Sequence, residues 1–160
     1  MMNCILAAAV CVGALAVPQI DTDFKAFMDY TAITNKKSPQ YALQAEAYTD
    51  DNGLRKVGDY YCVALGSYYG TEIGQCYIIT LDTGVSFKAI LADAKADCDT
   101  DETHRYHPMR GGAGNIVEFV VDTPELPRAV RWSGTVSSIE GFEGSVESIE
   151  PVEYTEKCGS

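Results

Sequence analysis

Asp93 and Glu118 are the residues best placed to do chemistry. Asp93 ends the strand-like run Lys88–Ala92, and Glu118 stands inside Ile116-Val117-Glu118-Phe119-Val120. A lone carboxylate in such a setting either faces solvent or is held in a pocket that raises its pKa. The second case makes a general acid for glycosidic cleavage. By the strand period Glu118, Val120 and Asp122 share a face, which equally suits an exposed polar surface. Tyr48, Tyr68 and Tyr69 offer rings on which a sugar could stack, although β-propensity accounts for most of the ten tyrosines.

Other chemistries find less support. There is no Gly-x-Ser-x-Gly motif and no glycine-rich phosphate loop leading into a helix. Both histidines, His104 and His107, fall in one loop, which leaves little for a Ser-His or Cys-His pair elsewhere. Asp97, Asp99 and Asp101 match the first ligand spacings of a calcium loop. Glu102 then replaces the required glycine and Pro108 the closing glutamate, so an EF-hand is excluded and only a looser calcium site stays open. The His-x-x-His spacing lacks a helical pattern for zinc. We therefore expect neither a metal nor a cofactor.

The elements that must position these residues are short strands. Runs at 60–65, 76–81, 86–92 and 116–121 are β-rich and are separated by Gly and Asp turns such as Asp50-Asp51-Asn52-Gly53. Ser38-Pro39 is an N-cap followed by a first-turn proline, which predicts a short helix over 40–47. The same stretch also alternates into a strand at 45–49. Near the C-terminus, 135–140 and 145–154 echo each other around Gly141 and Gly144, which predicts a hairpin. This pattern indicates a mostly β barrel or sandwich.

The chain has 160 residues and a net charge of −11. One domain is expected at this length, and the absence of a basic stripe argues against nucleic acid. Residues 4–17 form an uncharged apolar run of fourteen residues, the length of a signal-peptide h-region or an N-terminal anchor. Ala14-Leu15-Ala16 supplies a small-x-small cleavage pattern. This organisation predicts a signal peptide or anchor at 1–17, a connecting segment with a short helix at 18–44, a β domain at 45–154 and a tail at 155–160. Four cysteines lie beyond the run: Cys62, Cys76, Cys98 and Cys158. An exported chain could join them in any of three pairings, with Cys62 and Cys76 as candidate cross-strand neighbours.

From residue 45 to 123, about half the chain, the order of elements resembles the double-psi β-barrel of the "3D" (three-aspartate) group, which includes cell-wall lytic transglycosylase-like domains. Ala47-Tyr48-Thr49 is similar to the group's opening A-Y-T strand. Tyr61-Cys62-Val63-Ala64-Leu65 resembles I-A-V-D, and Gly70-Thr71-Glu72-Ile73-Gly74-Gln75-Cys76-Tyr77-Ile78 resembles P-L-G-T-x-V-Y-I. The run at 87–93 is similar to the strand ending in A-x-D, and Asn115-Ile116-Val117-Glu118-Phe119 to R-I-D-I-F. Leu65 stands where the first aspartate would fall and Glu118 where the third would. Asp93 matches outright, but Asp93-Ala94-Lys95-Ala96 replaces the group's D-T-G-G turn. The resemblance implies a six-stranded double-psi-type barrel with a short N-terminal helix and a C-terminal hairpin. It implies an exported cell-envelope domain acting on peptidoglycan glycan strands, with Asp93 as general acid/base and Glu118 as a supporting carboxylate. The alternative is a non-catalytic module on the same barrel, binding that carbohydrate polymer or an envelope protein.

Overall fold

A computed structural model of the chain describes residues 13–152. Most of the apolar run at 4–17, with Cys4 and Cys11, lies outside the described residues, as do Tyr154, Cys158 and the tail. No helix among the described residues is long and apolar enough to cross a membrane.

Among the described residues there are ten strands and two α-helices, joined by turns and loops. The strands are β1 (Phe27–Asp29), β2 (Tyr48–Thr49), β3 (Arg55–Val57), β4 (Tyr60–Leu65), β5 (Cys76–Leu81), β6 (Ser86–Ala94), β7 (His107–Pro108), β8 (Gly114–Asn115), β9 (Glu118–Val121) and β10 (Val146–Val152). The helices are α1 (Pro39–Glu46) and α2 (Arg128–Ser133). Eight strands join one mixed sheet along the path β1-β9-β4-β6-β5-β10, with β3 also on β4 and β2 on β3, while β7 and β8 pair separately. The fold is therefore mostly β, as expected. The main sheet has more strands than the expected six and does not close into a barrel. β1 also lies in the stretch assigned to a connecting segment, yet it runs parallel to β9. Leu15 bridges to Ile149 and packs on the core.

β4 organises this sheet. β6 runs parallel along one edge. The other edge is shared, with β3 opposite Tyr60 and Tyr61 and β9 opposite Val63 and Ala64. Its side chains alternate between two cores. Val63 and Leu65 enter the larger core with Leu91, Phe119 and Ile149, and Tyr61 packs against it. There Tyr61, Phe87, Phe119 and Phe142 meet mostly edge-to-face, with centroids 5.2–6.1 Å apart. Tyr60 and Cys62 enter the smaller core with Ile90, Ala92 and Val120, under Leu43 and Ala47.

The cysteine expectation is corrected here. Cys62 and Cys76 both lie opposite Ile90, from the two sides of β6, so a whole strand separates them. Cys62 is free and buried, and Cys76 is disulfide-bonded. Desolvation pushes the Cys62 thiol up to about 11, against smaller opposing effects of Gln44 and Arg55.

The expected hairpin at 135–140 does not form either. Val136–Ser138 is a 3-10 turn, and β10 pairs antiparallel with β5 instead. The reason is Lys25, which has no exposed surface. Its Nζ donates to the carbonyls of Asp23 (2.9 Å) and Gly144 (2.6 Å) and to Ser137 Oγ (3.2 Å). Thr135 Oγ1 accepts from the Lys25 amide, and the Val136 amide donates to the Lys25 carbonyl. Residues that would form a strand are thus wrapped around a buried ammonium. Desolvation brings its pKa down to about 8, opposed by Asp23, Asp82, Glu143 and Asp21.

α1 begins as the sequence indicates, with Ser38 Oγ accepting from the Tyr41 amide at 3.1 Å and Pro39 in the first turn. It ends against Arg55. The Arg55 Nη2 donates to the carbonyls of Gln44 (2.9 Å) and Ala47 (3.1 Å), Nε to Gln44 Oε1 (3.1 Å) and Nη1 to Thr49 Oγ1 (3.0 Å). The guanidinium also lies over the Tyr30 ring, 4.3 Å from its centroid. A cation at the last helical carbonyls complements the macrodipole, so one side chain fastens the helix to the sheet. Arg55→Lys keeps the charge but loses the planar fork, and should destabilise the protein by about 1–3 kcal/mol. Urea denaturation measures this, and an unchanged midpoint would rule out the fastening role.

Candidate functional site

The site is built on Ala64. It lies directly opposite Asp93 on β6 and Glu118 on β9, so all three residues share the sheet face on which α1 packs. Alternation alone would not place Asp93 there, because Leu91 points into the larger core. The register steps from Val63↔Leu91 to Ala64↔Asp93, leaving Ala92 as the extra residue of a β-bulge. A bulge re-aims the side chains beyond it, and here it turns Asp93 towards the side of Glu118. The Cα atoms of Asp93 and Glu118 are two strand spacings apart, about 9–10 Å, with only the Ala64 methyl between the strands.

The two carboxylates have different partners. Asp93 is half-buried; its Oδ1 accepts from the Ala94 amide (2.9 Å), and the Gln40 amide of α1 stands 3.5 Å away. Glu118 Oε2 accepts from Lys95 Nζ at 3.2 Å in an ion pair, with side-chain exposures of 27% and 6%. Burial pulls the Lys95 pKa down, and Glu118 works against it. The Lys95 backbone amide continues the ladder by donating to the Leu65 carbonyl (3.0 Å). Glu118 is thus committed to a buried ammonium, and Asp93 is the carboxyl left for proton transfer. Lys95 was not foreseen in the sequence, although its place two residues after Asp93 puts both on one face of an extended segment.

The tyrosines separate. Tyr68, 44% exposed, lies just beyond the Ala64 end of β4, with the Arg105 guanidinium over its ring at 5.6 Å. Tyr69 is 2% exposed and belongs to the larger core, so it offers no free ring face. Tyr48 is exposed but belongs to β2, which β3 joins to the opposite end of β4, and its hydroxyl donates to the Gly58 carbonyl (2.9 Å). Of the three, only Tyr68 both stands at the end of β4 that holds the two acids and exposes its ring.

The acidic loop beyond β6 is occupied with its own backbone. Asp101 Oδ1 accepts from the amides of Arg105 (2.8 Å) and Tyr106 (3.0 Å), and Oδ2 from the amide (2.9 Å) and hydroxyl of Thr103. Asp97 accepts from the Ser67 hydroxyl at 2.6 Å. Among the described residues no three His, Cys, Asp or Glu side chains converge as a metal site. The loop packs tightly on the end of β4, where a Cβ at Gly66 would overlap the His104 carbonyl oxygen.

No protein-family model, curated protein or solved structure matches the chain.

Two outcomes are expected. Lys95→Met should cost about 1–2 kcal/mol by stranding Glu118, a Tm loss of roughly 2–8 °C. Adding Glu118→Gln should recover most of it, and additive losses in the double-mutant cycle would show that the pair is not coupled. The second outcome concerns Asp101. Desolvation raises its pKa, but the hydrogen bonds together outweigh this and hold it at about 2, against an ordinary 3.8. The carboxylate therefore adds stability above pH 3.8, and this is lost as pH falls through 2. Asp101→Asn should flatten the dependence of Tm on pH across that window; an unaltered acid limb would contradict it.

Proposed function

We propose that this chain is a cell-envelope domain, exported or anchored through residues 4–17, that cleaves peptidoglycan glycan strands as a lytic transglycosylase or glycosidase-like enzyme. The observation that carries this reading is the bulge at Ala92, which aims Asp93 to the side of the Lys95–Glu118 pair. The fold we attach to it is a double-psi-type strand arrangement that stays open as a sheet. Support comes from two parallel pairings, β4 with β6 and β1 with β9, inside an otherwise antiparallel sheet.

One free carboxyl suffices for the chemistry. The protonated Asp93 gives its proton to the glycosidic oxygen as the C1–O bond breaks. The resulting carboxylate then takes a proton from the incoming hydroxyl. That hydroxyl belongs to water in hydrolysis and to the sugar's own C6 in transglycosylation. Glu118, balanced by Lys95, orients substrate rather than exchanging protons, and Tyr68 supplies a ring at the same end of the sheet.

A second reading, a non-catalytic module that binds the wall polymer or an envelope protein, is favoured by Leu65. Its side chain is wholly buried in the larger core, so a carboxylate is missing from the place where the resembling group carries its first aspartate. Release of soluble muropeptides from purified wall by wild type and Asp93→Asn separates the two. The enzyme reading expects a fall of about 10²–10⁴-fold in the variant. Equal release by both proteins would overturn it, and retention on wall without release would favour the binding module.

A further inference from the structure

The chain is tied to its own sheet from Leu15 onward. The Leu15 amide donates to the Ile149 carbonyl at 2.8 Å, an antiparallel bridge on the edge of β10 that β5 leaves free. Leu15 and Val17 pack against the larger core, and Pro18 behind them is buried. Between them the Ala16 carbonyl accepts from Arg105 Nη1 at 3.4 Å. The attachment continues past Pro18. The Asp21 carbonyl accepts from the Gly114 amide at 2.8 Å. Thr22, 1% exposed, accepts from the Val146 amide (2.9 Å) and donates its own amide to Ser145 Oγ (3.0 Å). Gly13 and Ala14 are exposed.

These contacts bear on where a leader is cut. The Ala14-Leu15-Ala16 pattern puts the cut between Ala16 and Val17. That cut would take Leu15 from the core and remove the amide donor from the carbonyl of Ile149, a residue with no exposed surface. It would also reopen the outer edge of β10. A charged α-amino group would then stand on Val17, whose side chain packs against apolar residues. An orphaned carbonyl and an ammonium beside a core are both costly. A cut ahead of Leu15 has none of these consequences. Cys11-Val12-Gly13 offers the same small-x-small spacing, and the seven residues 4–10 ahead of it match the short end of an h-region.

We infer that the exported protein keeps Leu15 to Val17 as the first element of its fold, and that its leader is cut after Gly13 rather than after Ala16. The apolar residues at 14–17 then serve the mature domain, and only those ahead of them serve export. The inference rests on the export half of the proposed reading and is independent of glycan cleavage.

The full chain, expressed in a secreting bacterial host, tests it through the mass and N-terminal sequence of the exported protein. The exported chain should begin at Ala14. Gly13→Gln should block that cut, whereas Ala16→Gln should leave it unchanged; both positions are exposed, so neither change disturbs the fold. Leu15→Ala should lower the Tm of the exported protein by roughly 2–8 °C, an effect that a chain cut at Val17 could not show. An exported chain that begins at Val17, or that retains residues 1–13, would overturn the inference and leave export standing. So would an unaltered Tm in Leu15→Ala, or processing blocked by Ala16→Gln but not by Gly13→Gln. A chain left uncut in the cytoplasm would overturn the export reading, and this inference with it.

Discussion

The structure depends on β4 being hydrogen-bonded along both edges. A strand buried on both faces cannot leave backbone groups unpaired, because each orphaned amide or carbonyl costs about 1–3 kcal/mol. β4 meets this demand with three partners, and those partners fix where everything else lies. β3 takes the first half of one edge and so brings Arg55 under α1. β9 takes the second half and brings Glu118 opposite Ala64. β6 takes the other edge and carries Asp93, with Lys95 just past its end. The candidate site is thus a consequence of satisfying a central strand rather than a loop assembly added to a finished scaffold.

A second theme is how an acidic chain uses its few cations. Lys25, Arg55 and Lys95 are each largely withdrawn from water, and each is compensated differently. Lys25 is held by carbonyls and a hydroxyl, with surrounding carboxylates acting at longer range. Arg55 is held by the end of a helix, an amide and a threonine. Lys95 alone has a direct carboxylate partner. A buried charge is tolerated only when its donors are used. These three side chains therefore act as fasteners, joining the N-terminal segment, α1 and the end of β6 to the sheet, while the surface keeps its negative charge.

Much of this was legible in the sequence, and the rest was hidden for identifiable reasons. The bounds of β4 and β5 follow from compact runs closed by Gly66 and Asp82, and Ser38-Pro39 marks the start of α1 because capping is a local event. The bulge at Ala92 leaves no trace in Leu91-Ala92-Asp93, since it is a matter of register between strands far apart in the chain. The same holds for β10. Its echo of 135–140 suggested a local hairpin, but the free edge of β5 and the demands of Lys25 decided otherwise. Asp93 and Glu118 were recognisable as residue types, whereas the difference between them, one free and one bound to Lys95, is a tertiary fact.

Cys62 turns the attachment of α1 into something that can be timed. Its thiol has no exposed surface and lies beneath the helix beside Gln44, while Cys98 is free and exposed on the acidic loop. An alkylating reagent reaches Cys98 from solution at once, but Cys62 only when the helix lifts or the sheet opens. The two sulfurs thus form an internal clock, with the ratio of their labelling rates giving the free energy of local opening.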